Sequence, residues 1–168
     1  SDDDHYYMEY KLEKNGKKAP LTWEDKDGEL TLKESEGGTG GYFITYDLGV
    51  FRTHIEQTQK EDAVNTVILY VPEKAQLLDA EIQLSDGDLT ADQLLCEKMT
   101  AKLSDGDLML DKGVFEKFEA KLGDGDMDVK ELQCTDNMQL KSENGDVSIK
   151  KADLADGQIA LDDGELQM

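Results

Sequence analysis

Through the second half of the chain, apolar residues occupy every other position in short runs that return at a fixed distance. Met99, Ala101 and Leu103, for example, alternate with Thr100 and Lys102. This two-residue period belongs to a half-buried strand, and helical spacing does not fit it. The runs are punctuated by a recurring polar turn: Ser85-Asp86-Gly87-Asp88, Ser104-Asp105-Gly106-Asp107, Gly123-Asp124-Gly125-Asp126, Glu143-Asn144-Gly145-Asp146 and Asp162-Asp163-Gly164-Glu165. Its glycines Gly87, Gly106, Gly125, Gly145 and Gly164 stand 19, 19, 20 and 19 residues apart.

Aligning the segments on these turns gives columns. The first inward position after each turn reads Leu89, Leu108, Met127, Val147, Leu166, and the second reads Ala91, Leu110, Val129, Ile149, Met168. Mid-repeat columns read Leu94, Gly113, Leu132, Ala152 and Cys96, Phe115, Cys134, Leu154. The approach to the next turn supplies Met99, Phe118, Met138, Gly157, then Ala101, Ala120, Leu140, Ile159, then Leu103, Leu122, Ser142, Leu161. One extra residue near Thr135-Asp136-Asn137 absorbs the 20-residue interval. A segment of this size cannot bury its own apolar face, so copies must stack, each held to the next by parallel main-chain hydrogen bonds. Leu77, Ala80, Ile82 and Leu84 extend the columns one rung earlier, which places the start of the solenoid near Val67.

Residues 5–71 show strands without a repeat: Tyr6–Leu12, Leu21–Asp25, Glu29–Glu34, Tyr42–Asp47 and Val64–Val71. Asn15-Gly16 and Asp27-Gly28 are hairpin signals, the glycine-rich Glu34–Gly41 reads as a loop, and the polar Arg52–Asp62 reads as a loop or short irregular element. The fold class expected is therefore all-β: a parallel β-solenoid of 19- to 20-residue repeats over 67–168, preceded by an antiparallel β cap over 1–66 that hides the first open edge.

Charge narrows the partners. With 18 basic and 39 acidic residues the formal charge is -21, which repels nucleic acid and anionic membrane surfaces and suits cations, cationic peptides or a basic protein face. Hydrophobic residues are 38% of the chain, enough for a core. No run approaches the roughly 18 apolar residues that span a bilayer. The opening Ser1-Asp2-Asp3-Asp4 is neither a signal peptide nor an initiator methionine and reads as an artificial boundary, leaving room for an anchor or a further domain in a longer parent.

Candidate chemistry is sparse. The two cysteines, Cys96 and Cys134, share a column two rungs apart, roughly 9–10 Å between Cα atoms. That exceeds the reach of an unstrained disulfide, so free buried thiols are expected. Asp86, Asp88, Asp105, Asp107, Asp124, Asp126 and Asp146 line up at the turns. Their first reading is turn chemistry, in which glycine supplies positive φ and Asp or Asn bonds the local backbone. Their second reading is calcium, although the repeat has neither the β-roll nonapeptide nor an EF-hand loop. His5 and His54 lie in no triad or zinc motif, and Gly37–Gly41 lacks the lysine of a phosphate loop. No catalytic, cofactor or metal residue is assigned. Trp23, Tyr6, Tyr7, Tyr10, Tyr42, Phe43 and Tyr46 concentrate in the first half as a core for the cap or, alternatively, as a platform for glycan or partner.

The stretch Leu84-Ser85-Asp86-Gly87-Asp88-Leu89-Thr90-Ala91-Asp92, returning at 103–111, resembles the repeat unit of a bacterial adhesin-like family of β-solenoids. Val67-Ile68-Leu69-Tyr70-Val71-Pro72 looks like that family's strand before the first rung, and Asp27-Gly28-Glu29-Leu30-Thr31-Leu32 looks like its N-terminal strands. The chain departs from the family pattern by an extra Asp in the turn and a more acidic balance. The resemblance implies a right-handed coil and a non-enzymatic protein of the cell envelope or extracytoplasmic surface, linked in some relatives to envelope-stress signalling; a cytoplasmic location stays open. It implies no catalytic residues. The function expected is thus a binding or scaffolding domain presenting an acidic surface to a protein, cationic peptide or glycan. The alternatives are a carbohydrate-active enzyme on a β-helix scaffold and an envelope-stress sensor of cationic peptides.

Overall fold

The computed structural model describes residues 7–11, 21–26, 29–34, 42–47, 51–59, 63–70 and 77–168, with side chains described over 78–84 and 87–168. All regular structure among them is β. The N-terminal strands are β1 (Tyr7–Lys11), β2 (Leu21–Lys26), β3 (Glu29–Glu34), β4 (Tyr42–Asp47), β5 (Phe51–Gln59) and β6 (Ala63–Tyr70). The rungs follow as β7 (Leu77–Asp86), β8 (Asp88–Asp105), β9 (Leu108–Asp124) and β10 (Met127–Asn144). The last of them is divided into β11 (Val147–Ile149), β12 (Ala152–Leu154) and β13 (Gly157–Asp163), with β14 (Leu166–Gln167) beginning another. Parallel pairing of β7 with β8, β8 with β9, β9 with β10, and β10 with β11, β12 and β13 makes a solenoid of about five turns.

The register follows the columns read from the sequence. Leu89 faces Leu108, which faces Met127, which faces Val147, which faces Leu166. Cys96, Phe115, Cys134 and Leu154 form another file, and Met99, Phe118, Met138 and Gly157 a third. The single register shift between β9 and β10 falls between Cys134 and Asn137, where the one longer repeat accommodates its extra residue as a bulge.

Within β8 burial alternates except at Asp92–Gln93 and Glu97–Lys98, where two successive residues face outward. The same breaks recur at Asp111–Lys112 and Glu116–Lys117 of β9. A strand that turns a corner must break its alternation there. Each rung is thus folded around three inward faces, and the turn glycine supplies the sharpest corner. The interior is apolar but for Ser142: Ile82, Leu89, Met99, Phe115, Phe118, Met127 and Met138 are all but fully buried.

Packing is balanced across columns and not only along them. Phe115 and Phe118 occupy one rung, their rings stacked at 4.9 Å between centroids. On the rungs above and below, the matching positions are Cys96 with Met99 and Cys134 with Met138. Space for the Phe115 ring comes from Gly113, whose neighbours in file are Leu94 and Leu132; a Cβ at Gly113 would run into that ring. Large and small residues therefore exchange places between adjacent rungs, so that a bulky pair in one file is offset by a glycine in another.

The N-terminal strands cover the first rungs by antiparallel pairing. β2, β3 and β4 form a meander, and β4 continues onto β7 with Ile44 opposite Ile82. β6 pairs antiparallel with β1 and β5, and β5 pairs with the start of β8 from Asp88 to Leu94, a stretch of edge that β7 does not reach. Parallel pairing is thus seen from Leu77 onward. The expected strands at Glu29–Glu34 and Tyr42–Asp47 coincide with β3 and β4.

The structure corrects the reading of Arg52–Asp62 as a loop or short irregular element: Phe51–Gln59 is strand β5, hydrogen-bonded along both edges. Main-chain ladders do not depend on side-chain polarity, and Thr53, Ile55 and Thr58 favour the extended backbone. The turns at Asn15-Gly16 and Asp27-Gly28, the glycine-rich 35–41, His5, and the side chains of His54 and the N-terminal aromatic residues lie outside the described residues.

Two contrasting substitutions test this account of the stack. Gly125 has φ 141°, and an added Cβ would overlap the carbonyl oxygen of Gly106 on the rung before. Gly125→Ala is expected to cost about 1–3 kcal/mol or more, measured by urea unfolding. Ser142 is fully buried in the leucine file of Leu122 and Leu161, and its Oγ has no hydrogen-bond partner. Ser142→Ala is expected to leave stability unchanged or raise it by about 1 kcal/mol, because an unpaired buried hydroxyl is removed.

Candidate functional site

The features that recur on every rung and reach solvent are the acidic corners. Each begins when a strand ends in Asp or Asn and passes through glycine at positive φ, from 116° at Gly87 to 141° at Gly125. The corners are tied from rung to rung by their main chains: Gly87 N–H donates to Asp105 O at 2.9 Å, Gly106 N–H to Asp124 O at 2.9 Å, and Gly125 N–H to Asn144 O at 3.2 Å. Leu89 N–H likewise reaches Asp107 O at 2.8 Å, and Leu108 N–H reaches Asp126 O at 2.9 Å. Main-chain bonds between rungs therefore flank the bend on both sides.

The two acidic positions of each corner behave differently. The carboxylate after the glycine is structural. Asp88 Oδ1 accepts from Asp107 N–H at 2.9 Å, Asp107 Oδ1 from Asp126 N–H at 2.8 Å, Asp126 Oδ1 from Asp146 N–H at 2.8 Å, and Asp146 Oδ1 from Glu165 N–H at 2.9 Å. Each side chain reaches forward one rung to satisfy a main-chain donor that the bend would otherwise leave to water. The residue before the glycine forms an outer row of Asp105, Asp124, Asn144 and Asp163, all exposed. Here the only side-chain bond among the described residues is from Asn144 Nδ2 to Asp124 Oδ1, at 2.6 Å.

Of the seven calcium candidates, the structure thus places Asp88, Asp107, Asp126 and Asp146 in one row with an oxygen each already engaged. It places Asp105 and Asp124 in the adjacent row. The side chain of Asp86 lies outside the described residues; its main chain pairs with Asp105. Among the described residues no three His, Cys, Asp or Glu side chains converge as they would around a metal ion. Stacking at the rung spacing spreads the carboxylates along a line, whereas calcium requires six to eight oxygens around a point.

The outward faces carry ion pairs between neighbouring rungs: Lys130–Asp111 at 2.6 Å, Lys102–Glu81 at 3.1 Å, Lys151–Glu131 at 3.3 Å and Lys117–Asp136 at 3.4 Å. Their side chains reach solvent, and ion pairs of this kind add little to stability. A shallow depression of about 630 Å³ crosses β9, β10 and β13, lined by Lys121, Gln139, Lys141 and Gln158 with Glu119 as its one carboxylate. The Glu119 carboxyl is held below the usual range by its hydrogen bond to Lys121, 2.7 Å away.

Both cysteines are free and buried, with Phe115 between them in the file, as the column alignment requires. Cys96 Sγ lies 2.8 Å from Lys98 O, and burial pushes its pKa up to about 12. Burial likewise raises the Cys134 thiol. Neither is a nucleophile at neutral pH. Among the described residues, no helix is long and apolar enough to cross a membrane.

Two measurements follow from these contacts. Asp126→Ala is expected to lower stability by about 1 kcal/mol, while Asp126→Asn, which keeps the accepting oxygen, loses much less; equal losses would rule out the carboxylate-to-amide ladder. The thiols are expected to resist a disulfide reagent at pH 8 in the native protein and to react fully in denaturant. The neutral Cys96 thiol favours the folded state fully below the unfolded value of about 8.5. That contribution falls as pH rises toward about 12.

No curated protein and no solved structure matches the chain. The family model described as Toastrack DUF4097 matches residues 1–168, and the chain belongs to that family.

Proposed function

We propose that this chain is a non-enzymatic binding or scaffolding domain of the bacterial cell envelope, adhesin-like in role, that offers a rigid acidic face to a cationic peptide or a basic protein surface. The observation that carries the reading is the outer row Asp105, Asp124, Asn144 and Asp163, exposed and fixed in register by the ladder beneath it. Unit charges about 5 Å apart in water repel by about 0.8 kcal/mol. A cationic partner that neutralises the neighbouring Asp105 and Asp124 gains that energy back in addition to its own attraction. From Asp105 to Asn144 the row is preorganised, because β8, β9 and β10 are each held on both sides by main-chain bonds.

Hydrolytic carbohydrate chemistry is less well supported. A glycosidase needs two carboxylates facing each other across a cleft. The depression on β9, β10 and β13 holds only Glu119, already bonded to Lys121, and no aromatic ring lines it.

The test uses oligolysine as probe in titration calorimetry. Binding is expected at low ionic strength and is expected to weaken steeply toward 0.15 M salt, where the screening length is about 8 Å. The triple variant Asp105→Asn, Asp124→Asn, Asp163→Asn is expected to lower affinity several-fold without loss of stability, since Asn144 already occupies this row. An affinity indifferent to both salt and the triple variant would sink the proposal.

A further inference from the structure

Asparagine followed by glycine is prone to one main-chain reaction, and this chain places such a pair at a corner. The sequence has four asparagines, of which two precede glycine: Asn15-Gly16, outside the described residues, and Asn144-Gly145. Asn144 is exposed at the end of β10, and Gly145 has no side chain to shield its nitrogen. Asn137, by contrast, is half-buried and is followed by Met138. Corners on the neighbouring rungs carry Asp105, Asp124 and Asp163 before the glycine. A carboxylate is a poor electrophile because it already bears negative charge, whereas the neutral carboxamide of Asn144 can be attacked.

The bonds that oppose the attack are specific. Gly145 N–H donates to Asp163 O at 3.2 Å, and Asn144 Nδ2 donates to Asp124 Oδ1 at 2.6 Å. The first keeps a proton on the nitrogen, and the second holds the carboxamide against the earlier rung. Main-chain ties on either side of Asn144 are the longer ones of the corner file. They measure 3.2 Å from Gly125 to Asn144 and from Gly145 to Asp163, against 2.9 Å from Gly87 to Asp105 and from Gly106 to Asp124. The asparagine thus stands at a loosely tied corner, where local opening costs least.

We infer that Asn144 is a self-modification site: when the corner opens, the Gly145 nitrogen closes on the Asn144 side chain and converts it to an acidic residue. The nitrogen bonds to Cγ, the Cγ–Nδ2 bond breaks, and Nδ2 leaves as ammonia, taking up the proton that the nitrogen has lost. Water then opens the cyclic imide, and no other reactant is needed. Opening at the Cγ carbonyl gives Asp, which the stack accommodates, since Asp124 and Asp163 pair with this position from either side. Opening at the main-chain carbonyl gives isoaspartate, whose main chain is longer by one atom and puts Gly145 out of step with Gly125. The Asp product completes the outer row and removes the bond to Asp124. This consequence for binding rests on the proposed acidic-surface role, whereas the reaction does not.

The experiment incubates the folded full chain in mildly alkaline buffer beside a free peptide spanning 141–148, and maps both by mass spectrometry. Conversion at 144 is expected in the folded chain, at least about fivefold more slowly than in the peptide, while Asn137 stays intact. Asp124→Ala, which removes the acceptor of Nδ2, is expected to speed conversion about twofold or more. Asn144→Asp, which supplies the product directly, is expected to bind oligolysine about threefold more tightly at low salt. Asn144 left intact in the folded chain after many half-times of the peptide overturns the modification site. Conversion as fast as in the peptide, or indifferent to Asp124→Ala, overturns its control by the corner's bonds. If conversion occurs but Asn144→Asp binds oligolysine no better, the effect on the acidic row is overturned and the modification stands. Absence of oligolysine binding by the unaltered chain overturns the acidic-surface role alone.

Discussion

The structure depends on parallel strands stacked in register with no offset, so that each residue meets its counterpart one repeat away. This constraint is most severe at the corner. There the chain must reverse its side-chain direction while its backbone keeps bonding to the rungs on either side. Gly106, Gly125, Gly145 and Gly164 sit with positive φ against the carbonyl of the previous glycine, with no room for a Cβ. A side chain at any of them would strain its own rung and also push the neighbouring rung out of pairing distance. The glycine column is therefore a requirement of the stack and not only of the turn.

The interior obeys a looser form of the same rule. A file does not need identical residues, because the volume within a rung can be shared among its faces. Gly113 beside Phe115 and Phe118 does the work that Leu132 beside Cys134 and Met138 does on the next rung. The pair of phenylalanines would overfill the rung if a leucine stood at 113. The one lapse among the described residues is Ser142, a polar residue in a leucine file, and it leaves an unpaired hydroxyl.

Much of this was legible in the sequence because a solenoid writes its tertiary contacts as a period. The spacing of five glycines and the alternation between them determine which residues meet, so the file Cys96, Phe115, Cys134 and the bulge near Thr135–Asn137 could be placed without coordinates. The N-terminal half has no such period, and there the reading failed where side-chain pattern and main-chain pairing diverge. Strand β5 has few apolar residues, yet it lies between β6 and the start of β8 with both edges bonded. The corner acids show a different limit. Sequence placed them in rows but could not separate the carboxylate that accepts an amide from the one that is free, because Asp105 and Asp107 look alike in an Asp-Gly-Asp turn.

That separation connects the fold to what the surface can do. In-register stacking turns any repeated residue into a row, so a charged residue repeated for structural reasons creates a charged surface as a by-product. Here the two roles fall on adjacent positions of one turn. The residue after the glycine is Asp at 88, 107, 126 and 146, where a short side chain sets an accepting oxygen against the amide of the next rung. The residue before the glycine is under no such demand, as Asn144 demonstrates. Its charge is therefore free to vary without loss of the ladder. A solenoid built this way can keep its corners fixed while the outer row adapts to a partner. The acidic surface is in this sense the adjustable part of a frame whose other parts are not.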